Sequence, residues 1–265
     1  MKTFILPLLM MVGLPSAWAR SKILNHVLQR AATSDRMGAI PVVVMDLDET
    51  LIDSTLRRFE AYQDSVRTLC GKDRTGDCGK SAGLNISEFL SLPNRYDQNP
   101  LFDQVGISKG AWSAQLNDSA IKIYLSGKWI ELDQATPGAT EYIQELRKLH
   151  AKIFFVTSRW KTSQGAATLA SLQHLGMWSE DDHDDSLILR PAGMSSIDFK
   201  RISYKMINDW REAHDALIVG AFENEPENMN AMVDAFPGAT HVFVTGAFIQ
   251  NEPLKGAPGL IKTFR

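Results

Sequence analysis

The strongest constraint on this chain is a set of apolar runs rich in β-branched and aromatic residues. Four are long: IPVVVMD (Ile40 to Asp46), AKIFFVT (Ala151 to Thr157), DALIVGA (Asp215 to Ala221) and THVFVTG (Thr240 to Gly246). A shorter one, SLILR, covers Ser186 to Arg190. None alternates polar with apolar residues, as a strand with one wet face does. Such runs need cover on both faces, which is the condition inside a parallel sheet. Helical patterns separate them, at Ala139 to His150, Ser163 to Gly176, Ile197 to Trp210 and Glu227 to Phe236, and another leads the first run at Ser21 to Arg30. Strands alternating with helices predict βαβ units and a doubly wound α/β sheet.

The alternation pauses once. Residues Leu51 to Thr136 hold no buried-strand run, only helix-like segments at Thr55 to Leu69 and Ser108 to Leu125, with polar sequence and LPNRYDQNP between them. This predicts a mostly helical insertion, residues 51–136, in a core made of residues 20–50 and 137–265. Residues 1–19 read differently. Lys2, an apolar run and Ala17-Trp18-Ala19 form the pattern of a cleavable secretory signal. The run is too short to span a bilayer of ~30 Å. Cleavage after Ala19 would leave 265 − 19 = 246 residues and shift the formal charge from −3 to −4. An exported protein, periplasmic or secreted, with no membrane anchor after cleavage is therefore expected. That charge balance does not point to a nucleic-acid polymer. In this context Cys70 and Cys78 read as a disulfide.

Open α/β sheets bind ligands beyond the carboxyl ends of their strands. Asp46, Asp48 and Thr50 follow the first run, Thr157, Ser158 and Arg159 the second, and Glu223, Asn224, Glu225 and Glu227 the third. Crowded carboxylates repel unless a cation neutralises them, and hard carboxylate oxygens suit Mg²⁺.

These residues carry a resemblance. VMDLDETLIDS resembles motif I of the haloacid dehalogenase (HAD) superfamily, D-x-D-x-T, and IFFVTSR resembles motif II. The DLDET form, the V-T-x-R ending and Pro137-Gly138-Ala139 are similar to the class C and DDDD acid phosphatases. The resemblance runs in order from Val42 to about Thr245. It implies a three-layer Rossmann-like sheet with a helical cap inserted after the first strand. It also implies an Mg²⁺-dependent phosphatase acting on small phosphorylated substrates through an aspartyl-phosphate.

Residue by residue, the resemblance makes Asp46 the nucleophile and Asp48 the acid and base, with the Asp48 main-chain carbonyl on the metal. Thr157 would donate to a phosphoryl oxygen and Thr50 would fix the motif I turn. With Thr50, Ser158 and Arg159 form the substrate side. Motif III would be Lys200, with Lys205 as the alternative. Motif IV departs from the pattern: Ala221 follows Gly220 where an aspartate is expected. Glu223 is then the expected metal ligand beside Asp46 and Asp48, with Glu225 or Glu227 acting through water or orienting Lys200. Two other functions stay open: transfer of the phosphoryl group to an alcohol, and a non-catalytic HAD-like binding protein.

Other features carry less. Phe59, Tyr62, Tyr96, Trp112 and Trp129 in the insertion read as core, with substrate stacking as the alternative. The acidic run Ser179 to Asp185 reads as a solvated loop. Asp53 or Ser54 is expected to cap the helix after motif I.

Overall fold

The computed structural model describes residues 20–90, 99–107, 109–180, 182, 186–246 and 252–265. The signal-like segment and Tyr96 lie outside them, as do most of the residues from 181 to 185.

Helix α1 (Lys22–Arg36) leads into β1 (Ile40–Met45). The short β2 (Ile52–Asp53) pairs antiparallel with β3 (Gln134–Ala135), so the chain leaves and re-enters the core side by side. Between these strands lie α2 (Thr55–Cys70), α3 (Gly76–Gly83), α4 (Ile86–Leu90), α5 (Asn99–Val105), α6 (Ala111–Leu125) and a 3₁₀ turn at Ile130–Leu132. The rest alternates: α7 (Ala139–Lys148), β4 (Lys152–Trp160), α8 (Lys161–His174), β5 (Leu187–Arg190), α9 (Ser196–Ala213), β6 (Ala216–Glu223), α10 (Pro226–Ala235), β7 (Thr240–Val244) and β8 (Gly259–Ile261).

Six strands form one parallel sheet in the order β5-β4-β1-β6-β7-β8. Both faces are covered, which explains the unbroken apolar runs. In β1, Val43 and Met45 face a cluster with Leu24, Val27, Tyr142, Ile143, Phe155 and Phe222. Val42 and Val44 face the opposite cluster, with Phe154, Tyr204, Ile207, Met229 and Phe236. This is a three-layer α/β fold, and each fully buried large apolar side chain contributes roughly 1.5–3 kcal/mol to it. Beside β1 the chain order reverses, with β4 on one side and β6 on the other. That reversal opens a crevice at the carboxyl ends of all three strands.

Pro137-Gly138-Ala139 has a backbone reason. Gly138 caps α7 at φ +86°, and a Cβ there would lie 2.8 Å from the backbone carbon of Phe264. Only glycine meets both demands.

The inserted helices have their own core of Tyr62, Val66, Leu84, Phe89, Phe102, Ile107 and Leu116, with Phe59 and Trp112 packed against it. Cys70 and Cys78 are joined by a disulfide. Asp64 of α2 ties this unit to the chain after α6. It accepts from Lys128 Nζ at 2.5 Å, Arg67 Nη2 at 2.6 Å and the Trp129 indole at 2.8 Å. Burial raises its pKa, but these donors prevail and bring it down to about 2. A carboxyl depressed in the fold adds stability above its ordinary pKa and loses it as pH falls through the folded value. Asp64→Asn is therefore expected to lower the melting temperature fully above pH ~4. The gap should close towards pH 2, as read by thermal melts across that range.

Candidate active site

Motif I turns sharply as β1 ends. The Asp46 N–H still donates to Phe222 O, continuing the ladder at 3.0 Å. Glu49 then takes φ +60° and turns its carboxylate inward, where Oε1 accepts from the Ser54 hydroxyl at 2.6 Å and the Ser54 N–H at 3.2 Å. Glu49 thus supports the turn into α2. Ser54 makes no side-chain cap of α2: its hydroxyl donates to Glu49 and its oxygen accepts from Arg58 Nε at 2.9 Å. Asp53 Oδ1 accepts from the Thr55 N–H at 2.9 Å instead.

Lys200 of α9 is buried against Asp46. Its ammonium donates to Asp46 Oδ1 at 2.6 Å, Val156 O at 2.7 Å and Glu223 Oε2 at 2.9 Å, which uses all three protons. Burial opposes its charge, but Asp46 and then Glu223 hold its pKa above the ordinary lysine value. Lys205 is on the outer face of the same helix, its side chain 75% exposed and bonded to Asp209. One ammonium serves two carboxylates. Burial first, and then the Glu223 charge, push Asp46 up to about 7, and burial likewise raises Glu223.

Asp46 Oδ2 accepts from Thr50 Oγ1 at 3.0 Å. Thr50 is fully buried and also lies 3.2 Å from Asn224 Oδ1, so it orients Asp46 from behind. Thr157 lies in β4 where its pairing with β5 becomes irregular, and its hydroxyl accepts from the Arg159 N–H. The Ser158 hydroxyl meets that of Ser196 at the start of α9.

Asp48 points elsewhere. Arg159 grips it with two bonds, Nε to Oδ2 at 2.9 Å and Nη2 to Oδ1 at 2.8 Å. Arg57 of α2 donates to the same Oδ1. Asp133 lies behind both arginines, accepting from Arg159 at 2.6 Å and lying 3.1 Å from Arg57 Nε. Tyr124 of α6 completes the group: its ring stacks under Arg57 and Arg58, its oxygen accepts from Arg57 at 2.6 Å, and its hydroxyl lies 3.3 Å from Asp48 Oδ1. Burial raises the Asp48 pKa, but Arg159 and then Arg57 outweigh it and hold the carboxyl well below the usual carboxylate range.

The expected metal set is Asp46, the Asp48 main-chain carbonyl and Glu223, and these contacts engage the side chains of all three acids. The acids crowd together because lysine and arginine side chains of the chain itself compensate them. The Asp48 carboxylate is committed to arginines. Glu223 is fully buried: Oε2 takes Lys200, and Oε1 takes the Asn224 N–H at 3.0 Å and the Glu225 N–H at 3.1 Å. Its extra methylene lets the carboxylate fold back onto its own loop. Among the described residues, no three His, Cys, Asp or Glu side chains group as a metal cage. The next position, Asn224, reaches the site instead, through the Thr50 hydroxyl it shares with Asp46.

A cavity of about 290 Å³ opens on this arrangement. Asp46, Asp48, Tyr124, Thr157, Ser158, Arg159, Gln164, Arg190, Glu223 and Asn224 line it, with Glu225 and Glu227 at the β6 side. Tyr124, not the aromatics singled out in the insertion, is its aromatic wall. Arg57, Tyr124, Asp133 and Arg190 escape the sequence pattern. Each comes from a different segment, and only the strand-end position of Arg190 gave a local signal.

No protein-family model matches this sequence, and no curated protein matches it. Among solved structures, a Clostridium difficile protein provisionally described as a phosphatase aligns with a TM-score of 0.51 at 14% identity, covering 78% of this chain and 85% of its own. An Entamoeba histolytica HAD hydrolase of family IA, variant 3, aligns at 0.48 and 17% identity, covering 85% of this chain and 94% of its own. CbbY from Rhodobacter sphaeroides, solved with phosphate, aligns at 0.47 and 16%, covering 85% and 95%. At these identities the likeness is one of fold. With the strand order and the switch point beside β1, it gives this chain a three-layer α/β fold like that of the Clostridium difficile protein.

Proposed function

We propose that the chain is an exported phosphatase that hydrolyses small phosphomonoesters through a phosphoryl group carried on Asp46. The observation that carries this reading is the Asp46 carboxylate. It directly follows β1, lines the cavity, and is held from behind by Lys200 and Thr50. The signal-like residues 1–19 and the Cys70–Cys78 disulfide support export.

The residues present fit a magnesium ion, with Asn224 in place of Glu223. The Thr50 hydroxyl has one proton for two acceptors, Asp46 Oδ2 and Asn224 Oδ1. Mg²⁺ takes carboxylate and amide oxygens of this kind together with water and substrate phosphate. Asp46 and Asn224 would hold it, and when bound it supplies positive charge against the phosphoryl oxygens.

The protein's own groups do the rest. The Asp46 carboxylate forms a bond to phosphorus as the bond from phosphorus to the leaving oxygen breaks. Arg57 and Arg159 keep Asp48 ionised in the resting site, so the leaving oxygen's proton enters with the substrate as its monoanion. Asp48 relays that proton to the alcohol. Thr157 donates to the transferring group, and Lys200 holds its charge at the base of the site. Water then attacks phosphorus, Asp48 takes its proton, and the bond to Asp46 breaks to release phosphate.

The test is phosphate release from an aryl phosphate, with Mg²⁺ and after chelation. Turnover that needs the metal, with a phosphoryl group trapped on the Asp46 peptide by mass spectrometry, is the expected result. Turnover without any phosphoryl-protein at short times would refute the covalent route. Phosphate moved to an added alcohol in preference to water would favour phosphotransfer.

A further inference from the structure

Arg190 stands apart from the other arginines of the site. Arg159, which lines the cavity with it, is paired with Asp48 and Asp133. Arg57, behind the lining, is paired with the same two acids, although its Nε and Nη1 lack hydrogen-bond partners. Arg190 ends β5 in register with Trp160 of β4, and its guanidinium carbon stacks 3.9 Å from the centre of the Trp160 ring. Its Nε is buried with no hydrogen-bond partner. Among the described residues no carboxylate pairs with it, and burial alone acts on its charge, lowering the pKa. Yet it lines the cavity that holds Asp46, beside Ser158, Ser196 and Gln164.

A half-buried guanidinium without a counter-ion costs stability unless something compensates it. The indole face restricts its motion and supplies part of that compensation. What remains is a fork of donors matched to a planar oxyanion. The reacting phosphoryl group is already provided for by Lys200, Thr157 and the Asp46–Asn224 pair. We propose that Arg190 is a specificity residue that binds a carboxylate elsewhere on the substrate. The preferred substrates are then small phosphomonoesters of hydroxy acids, a size that suits a cavity of about 290 Å³.

This rests on the phosphatase reading, and the experiment separates the two. Phosphoglycolate and ethyl phosphate are compared in wild type, Arg190→Gln and Arg190→Lys. Wild type is expected to favour phosphoglycolate in KM by about 30-fold, the usual worth of one charge-assisted pair. Arg190→Gln should abolish that preference, and Arg190→Lys, which keeps charge but not the fork, should retain an intermediate one. A rise in KM of equal size for both esters would overturn the proposal, since Arg190 would then serve the phosphoryl group itself. If wild type hydrolyses neither ester, the phosphatase reading fails, and calorimetry with phosphonoacetate and methylphosphonate decides the role of Arg190. Tighter binding of phosphonoacetate that Arg190→Gln removes supports it, and equal binding of the two overturns it. If Arg190→Gln does not fold, Arg190→Lys carries the same comparison, and discrimination identical to wild type counts against the proposal.

Discussion

Asp46→Asn is expected to lower kcat on an aryl phosphate by about 10⁴-fold, within the range set by removing a covalent nucleophile, and to leave the protein folded. Both halves follow from one contact set. Asp46 and Glu223 share Lys200, and Asp46 is pushed up to about 7, first by burial and then by the Glu223 charge. A carboxyl whose folded pKa is raised weakens the fold as pH rises from its ordinary value, ~4, through the folded value. Asparagine keeps the shape and the acceptor for Lys200 while removing the like charge. In metal-free protein the variant should therefore melt no lower than wild type at pH 8, and its relative advantage should vanish near pH 4. Kinetics and thermal melts on one preparation check both halves. Retention of more than about a tenth of wild-type kcat would exclude Asp46 as nucleophile, because a bystander carboxylate costs far less than the reacting group.

The largest stability effect is expected at Arg159. Its guanidinium joins Asp48 to Asp133, and all three lie at the junction of β1, β4 and the inserted helices. Arg159→Met fits the space but strands carboxylates that lose their main cation. Breaking one partner out of a buried ion network costs about 3–5 kcal/mol, a large share of the ~5–15 kcal/mol that holds a domain folded. Denaturant melts should show that loss. Adding Asp133→Asn should recover about 1 kcal/mol or more, since the two positions share one network and their effects are not additive. Losses that simply add would mean the two residues do not communicate. Activity should fall in both variants, because Asp48 loses the grip that keeps it ionised and aimed.

The legibility of this molecule follows range of interaction. The core strands were legible because burial on both faces demands an unbroken apolar run such as VVVM. The Pro137-Gly138-Ala139 turn was legible in kind, and its cause became visible only with Phe264 against Gly138. β8 was missed because three residues carry no period, and α3 to α5 because short helices in polar sequence give little pattern. In the site, Asp46, Thr50 and Lys200 came from local motifs. The metal expectation at Glu223 rested on its nearness to the strand end. A side chain's direction is not a property of sequence distance, and this one folds back on its own loop.

Residue order alone sets the α/β class, the place of the inserted helices and the carboxylates that follow β1. These are properties of short stretches, where hydrophobic periodicity and turn chemistry act over a few residues. Tertiary structure alone decided which cation faces which acid. Asp48 meets Arg57 nine residues on, Tyr124 of α6 at 76, and Arg159 of β4 at 111. Charge interactions depend on distance in space and on the exclusion of water, and neither exists until the sheet and its helices have closed over the site.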